Sequence, residues 1–178
     1  SPRLLLLDEP FSNLDMGHKK VIRQVVHDIS MKLGITTLMV LHDAPDILSW
    51  ADIILVMQEG QLIQQGTPEE IYLQPVNEYC AGLFGEYNLV DTSLFENVLL
   101  VTPPKGKKLF FRPEAIHLAG STEDSISGVV QNIHYWGSYY TLEISAGEEL
   151  VSMQVRNADF KKGEKIELTL NENAVWFL

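Results

Sequence analysis

The stretch Ser1–Asp15, SPRLLLLDEPFSNLD, decides the fold. Four consecutive leucines, Leu4 to Leu7, make a short apolar run without alternation. Such a run predicts a strand buried on both faces, as in a parallel α/β sheet. It stops at Asp8 and Glu9, two carboxylates that a buried strand interior does not tolerate unpaired. Open α/β sheets bind their ligands in the crevice outside the carboxyl ends of the strands. An acidic pair at that edge is where a Mg²⁺-bound nucleotide is expected to be handled.

Downstream, Ile22, Val25, Val26, Ile29 and Leu33 recur at helical spacing and predict an amphipathic helix over Met16 to Leu33. Asp15 is placed to cap its start and Gly34 to stop it. Ile35 to Leu41, ITTLMVL, reads as a second buried strand rich in β-branched residues. Like the first, it ends on polar chemistry, here His42 and Asp43.

LLLLDEP followed by SNLD resembles the Walker B motif and D-loop of ABC-type ATPases, and LHDAPDILSWADIILVM resembles their H-loop region. Importer-type members often read THDQEEA there. This chain has Leu41 for the threonine and Ala44-Pro45-Asp46 afterwards, but keeps the histidine. The resemblance implies that Asp8 helps hold Mg²⁺, usually through water, that Glu9 polarises the attacking water, and that His42 contacts the γ-phosphate of ATP. It also implies that Ser12, Asn13, Leu14 and Asp15 lie at the interface with a second ATPase subunit. The chemistry agrees with these roles: Mg²⁺ is a hard cation that takes oxygen ligands and keeps several waters, and phosphoryl transfer needs a group to orient the nucleophile. His18, His27, His117 and His134 have no such context and read as surface or packing residues.

Asp52 to Met57 and Gln61 to Gln65 flank Gln58-Glu59-Gly60, a hairpin signal. Thr67-Pro68-Glu69-Glu70 opens a helix, with Thr67 as N-cap, Pro68 at the first helical position and Glu70 completing a capping box. The segment EGQLIQQGTPEEIYLQPVNEYCAGLFG resembles the stretch that closes the ATPase domain of importer-type subunits, and its glutamates are scaffold.

From about Glu86 helical periodicity gives way to short β-rich runs between Gly, Pro, Ser and Asn. Strands are predicted at Leu109 to Arg112, Ile116 to Ala119, Gly128 to Tyr135, Tyr139 to Ser145, Leu150 to Gln154, Ile166 to Leu170 and Ala174 to Leu178. Ile166, Leu168 and Leu170 alternate with Glu167 and Thr169, the period of a half-buried strand. Strands at this spacing predict a small barrel or sandwich. RPEAIHL, GVVQNIHYWGSYYTLEI and FKKGEKIELTLNENAVWFL resemble a TOBE domain, the OB-like barrel appended to many importer ATPases, with Arg112-Pro113-Glu114 matching its recurring RPE. OB-like barrels also bind nucleic acid, and Tyr135, Trp136, Tyr139 and Tyr140 offer a candidate stacking platform. Only loop-edge lysines accompany them, which favours packing or a protein interface.

The net charge of −11 over 178 residues also argues against a nucleic-acid partner. A hydrophobic fraction of 46% suits a soluble globular chain with a core. No run approaches the roughly eighteen apolar residues of a membrane span, and none reads as a secretory signal. Cys80 is the one cysteine, so no internal disulfide forms and a reducing cytoplasmic setting follows.

No GxxxxGK[ST] loop, LSGGQ-like signature or Q-loop occurs. Together with a start on a core strand, this leads us to expect the C-terminal part of a longer protein. The expected architecture is half of an α/β P-loop ATPase domain with a parallel sheet over 1–88, followed by an all-β OB-like TOBE barrel over 89–178. The resemblance implies the ATP-binding and hydrolysing subunit of a prokaryotic ABC importer, using ATP and Mg²⁺ in the complete protein. Its partners would be a second ATPase subunit and transmembrane permease subunits, with no nucleic acid and no span of its own. It would be cytoplasmic and peripheral on the inner membrane face. The chain alone is expected to be inactive and, with its neighbouring strands absent, to expose apolar surface around Leu4–Leu7 and Val40 and to dimerise. A second reading stays open, a non-catalytic regulatory or dimerisation module binding a partner or small ligand through the barrel, whereas a soluble ABC ATPase without a permease is disfavoured by the appended TOBE-like domain. No residue selects a solute.

Overall fold

A computed structural model describes residues 3–12, 14–42, 44–100, 102–121, 123–157 and 159–178. Asn13 and Asp43 lie outside the described residues. The chain divides into two compact units, 1–46 and 47–178.

The first unit is a strand–helix–strand motif. Strand β1 (Leu4–Asp8) pairs parallel with β2 (Thr36–Val40), with Asp8 opposite Val40. Helix α1 (Met16–Leu33) connects them. Asp15 caps it by accepting from the His18 N–H, and Gly34 ends it at φ 59°, the left-handed conformation that glycine adopts without a Cβ penalty. Ser30 of α1 hydrogen-bonds Thr37 of β2, which places the helix on the sheet face of Leu5, Leu7, Thr37 and Met39.

Burial here departs from strands covered on both faces and agrees with the exposed apolar surface expected around Leu4–Leu7 and Val40. Leu4, Leu6, Leu38 and Val40 are exposed, Leu6 to 64%. Two strands and one helix cover one face only, so the unalternating Leu4–Leu7 run acquires an alternating exposure from its surroundings. The same holds for α1. Ile22 and Val26 are half-buried, whereas Val25, Ile29 and Leu33 of the expected core stripe are exposed.

The second unit begins with an antiparallel hairpin, β3 (Ile54–Gln58) and β4 (Gln61–Gly66). Helices α2 (Pro68–Leu73) and α3 (Glu78–Leu83) follow. The capping box expected at α2 is present: the Glu70 carboxylate accepts from the Thr67 N–H at 2.8 Å, while the Thr67 hydroxyl oxygen accepts from the Glu70 N–H. Pro68 occupies the first turn, where its missing N–H would have gone unused anyway.

Beyond Glu86 the described residues form strands and two short 3-10 turns, Thr92–Phe95 and Glu172–Ala174. Strands β5 (Asn88–Val90), β6 (Leu109–Phe111) and β12 (Val175–Phe177) form a three-stranded sheet in the order β12-β6-β5. The five-stranded sheet runs β10-β9-β8-β11-β7, built from β7 (Ile116–Leu118), β8 (Ile126–Tyr135), β9 (Tyr140–Ala146), β10 (Glu149–Val155) and β11 (Lys165–Leu170). It curls as a half-barrel and fits an OB-like all-β fold. The expected strands all form. The sequence reading did not anticipate β5, whose Asn88 Nδ2 donates to the Ser152 carbonyl at 2.9 Å while its Oδ1 accepts from the Ser152 N–H at 2.7 Å.

Inside lies one apolar cluster, including Phe95, Phe111, Leu142, Ile144, Met153 and Leu168. Phe95 and Phe111 meet edge to face at 5.6 Å between ring centroids, a favoured aromatic geometry.

Candidate functional site

Parallel pairing delivers the carboxyl ends of β1 and β2 to one edge. With Asp8 opposite Val40, the residues that follow, Glu9 and then His42, become neighbours. The ladder continues one residue past β1, where the Glu9 N–H donates to the Val40 carbonyl at 2.9 Å.

Glu9 then turns the chain. Its φ of 43° lies in the left-handed region, which non-glycine residues enter at a cost and which recurs at functional positions. The turn closes with the Ser12 N–H donating to the Glu9 carbonyl at 3.1 Å. That fold-back carries the Ser12 hydroxyl to the Glu9 side chain, donating to Oε2 at 2.9 Å. The other carboxylate oxygen, Oε1, lies 3.3 Å from Nδ1 of His42. Glu9 is thus held from both sides, by a hydroxyl and by an imidazole, and both groups remain largely exposed.

Asp8 ends β1 one residue earlier, exposed, and its carboxylate makes no hydrogen bond or ion pair among the described residues. No three His, Cys, Asp or Glu among the described residues gather closely enough to enclose a metal ion. Mg²⁺ does not require such a cage: it takes one or two carboxylates and completes its shell with waters and substrate phosphates. Asp8 is a donor of that kind, so the residues present fit the ion.

The remaining expected residues serve locally. Leu14 is half-buried, its N–H donating to the Phe11 carbonyl at 3.3 Å. Asp15 accepts from the His18 N–H at 3.0 Å, and its other oxygen lies 2.7 Å from His18 Nδ1. Those bonds, the backbone one foremost, hold the Asp15 carboxyl below its ordinary value.

Two residues escaped the sequence reading. Lys19 and Arg23 line a small cavity, about 20 Å³, together with Glu9, Phe11, Ser12 and His42. Arg23 also stacks on the buried Phe11 ring, 5.4 Å from its centroid. They stand four apart on the half-buried face of α1, the same face as Val26. Basic residues at that spacing, aligned with an inward stripe, were the available signal.

Comparison with known proteins places the second unit first. Residues 109–178 match the model of the TOBE domain. The whole chain is similar to a Fe(3+) ions import ATP-binding protein of Photobacterium profundum, at 29% identity over 99% of this chain and 55% of that protein. Two spermidine/putrescine import ATP-binding proteins also match. That of the Onion yellows phytoplasma is 29% identical over 96% of the chain and 44% of its own length. That of Borrelia garinii is 32% identical over 98% and 54%. The chain spans about half the length of these curated relatives. The resemblance to the C-terminal part of an importer-type ATP-binding subunit with a TOBE domain is borne out. Among the described residues, no helix is long and apolar enough to cross a membrane.

Proposed function

We propose that this chain is the C-terminal part of the ATP-binding and hydrolysing subunit of an ABC importer, coupling ATP hydrolysis to solute uptake. One observation supports this above others: the Glu9 carboxylate, anchored by Ser12 and set beside His42, at the common carboxyl edge of a parallel strand pair. In this reading residues 1–88 are the second half of a P-loop ATPase domain and 89–178 the TOBE barrel.

Glu9 accepts a hydrogen bond from the attacking water and orients it toward the γ-phosphate. Ser12 fixes the carboxylate, and His42 donates toward phosphate oxygen. Asp8 would hold Mg²⁺, and the ion when bound would supply charge neutralisation at the phosphates. Ser12, Asn13, Leu14 and Asp15 face a second ATPase subunit. Permease subunits bind the assembly and keep it on the inner face of the membrane.

Backbone N–H groups of a P-loop and its lysine supply much of the phosphate binding in this class. The sequence has no such loop, so the chain alone is inactive. Calorimetric titration with Mg²⁺-ATP tests both halves of the reading. The 178-residue chain is expected to give no saturable heat. A longer polypeptide that joins it to a GxxxxGK[ST] loop is expected to bind at micromolar levels. In that polypeptide Glu9→Gln lowers turnover by about 10²-fold or more, the range for positioned acid–base groups, with ATP affinity kept. Tight binding by the short chain, or full turnover by the Glu9→Gln protein, overturns the assignment.

A further inference from the structure

Phe11 is the buried point of the turn that carries Glu9. It is 5% exposed, and only Ala44 joins it as a buried apolar residue among the described residues of 1–46. Its neighbours in the chain are tied to each other around it. The Ser12 N–H closes the turn on the Glu9 carbonyl at 3.1 Å, and the Phe11 carbonyl accepts from the Leu14 N–H at 3.3 Å. Glu9 lies two residues before the ring and Ser12 one after it, so the place of the ring sets where both begin.

Glu9 needs such an anchor. At φ 43° it sits in the left-handed region, which a non-glycine residue keeps only where the surrounding structure over-determines it. The contacts of its carboxylate, to the Ser12 hydroxyl at 2.9 Å and His42 Nδ1 at 3.3 Å, are exposed to solvent. Exposed polar contacts hold little on their own. The buried ring between them is the stronger fixed point.

Arg23 covers that ring. Its guanidinium carbon lies 5.4 Å from the Phe11 centroid, inside the ~6 Å reach of a cation–π contact. Arg23 belongs to α1, which is seated on β2 by the Ser30–Thr37 hydrogen bond, away from the turn. Arg23 also lines the small cavity whose walls include Glu9, Ser12 and His42. We propose that Arg23 is a positioning residue for Glu9: it holds the Phe11 ring, and through the ring the left-handed turn that aims the carboxylate. This rests on the reading of Glu9 as the group that orients the attacking water. Arg23 acts on Glu9 through Phe11 and not on the phosphates, which separates its role from that of His42. Arginine suits the place because its planar head covers an aromatic face, whereas an ammonium is a compact point charge.

Two measurements test it. In NMR spectra of the 178-residue chain, Arg23→Met should displace the Glu9 and Ser12 amide resonances and leave those of Leu38 and Met39 in β2 in place. Exchange of the Ser12 amide should quicken by about fivefold, the factor that a cation–π contact of this kind carries. In the longer polypeptide with a GxxxxGK[ST] loop, Arg23→Met should lower kcat by about tenfold with KM for ATP kept, as misplacement of a catalytic group does. Arg23→Lys keeps the charge and should restore part of that loss. In a Glu9→Gln background Arg23→Met should change turnover by less than about twofold, because its effect passes through Glu9. Unmoved Glu9 and Ser12 resonances in the Arg23→Met chain overturn the proposal, as does an undiminished Arg23→Met effect in the Glu9→Gln background. Loss of turnover in Glu9→Gln with none in Arg23→Met removes this inference alone, whereas full turnover in Glu9→Gln removes the reading of Glu9 and this inference with it.

Discussion

Arg112 is almost fully buried, at 1% exposure, and its hydrogen bonds go to backbone carbonyls. Its Nε donates to the Tyr72 carbonyl and its Nη1 to the carbonyls of Gly85 and Glu86, each at 3.1 Å. The guanidinium lies 4.1 Å from the Tyr72 ring centroid. Two residues on, Glu114 accepts from the Tyr72 hydroxyl at 2.7 Å. Burial, and then this bond, push the Tyr72 phenol well above its usual range, so it stays protonated. The Arg-Pro-Glu of the barrel thus clasps α2 and the loop after α3. Arg112→Ala should cost about 3 kcal/mol, because three carbonyls lose a charged donor. Arg112→Lys should recover less than half, since an ammonium neither stacks nor forks. Tyr72→Phe should cost about 1 kcal/mol. Urea midpoints at constant m-value check all three; equal stability of the Arg and Lys proteins would remove the clasp.

A pH effect belongs to the same scale. Asp15 has its carboxyl held below the ordinary 3.8 by the His18 N–H and imidazole. A depressed carboxylate stabilises the folded state fully above its unfolded value and loses that contribution as pH falls through the folded one. The start of α1 should therefore fray only below about pH 4, seen as a common titration of the Asp15 carboxyl and the His18 amide in NMR spectra. Asp15→Asn keeps an acceptor for the cap and should abolish that titration while leaving the helix start in place.

At the level of elements, β8 crosses the barrel where there is no room for a side chain. A Cβ on Gly128 would meet Ile144 Cγ2 at 2.5 Å and Leu168 Cδ1 at 3.0 Å. Leu168 has rotamers with which to yield; the γ-methyl of a β-branched Ile144 does not. Gly128→Ala should therefore destabilise by about 1–3 kcal/mol, the usual cost of overpacking. Gly128→Ala with Ile144→Ala, which removes the Cγ2 methyl, should lose less than the sum of the two single changes, and a strictly additive pair would show that the contact is not the cause. Such crowding was not legible in the sequence, where Gly128 simply opens the GVVQNIHYW run. What was legible depended on local signals. The Thr67–Glu70 cap, the Asp15 and Gly34 helix ends and the alternation of β11 each follow from residues within a few positions. The Ser12–Glu9–His42 contact was legible only in part, since strand ends announce themselves but the turn that returns Ser12 to Glu9 needs a left-handed glutamate that composition does not advertise. The four leucines read as a strand buried on both faces within a larger sheet, while the open face of Leu4, Leu6 and Val40 agrees with the apolar surface expected there for this chain alone, because burial depends on what covers the sheet.

Taken whole, the molecule is unevenly built. In the second unit Leu142, Ile144, Met153 and Leu168 are fully shielded. In the first, Leu4, Leu6, Leu38 and Val40 lie on an open sheet face, and Val21, Val25, Ile29 and Leu33 make an exposed stripe along α1. Apolar burial is the main favourable term in folding, so the two units cannot share one stability. Local opening should cost far less in the first. Hydrogen exchange on the full chain should show amides of β1 and β2 protected at least about tenfold less than those of β8 and β9, a gap of ~1.4 kcal/mol or more. Point changes should follow the same division. Leu6→Ser should shift stability by less than about 0.5 kcal/mol, as for other exposed positions, and should reduce self-association by removing apolar surface from an open sheet. Ile144→Ala should cost about 2–5 kcal/mol through the cavity it leaves. If the Leu6 change proved as costly as the Ile144 change, or if β1 and β8 exchanged together, then something covers the first sheet in solution, and its exposed face would have to be reassigned as core.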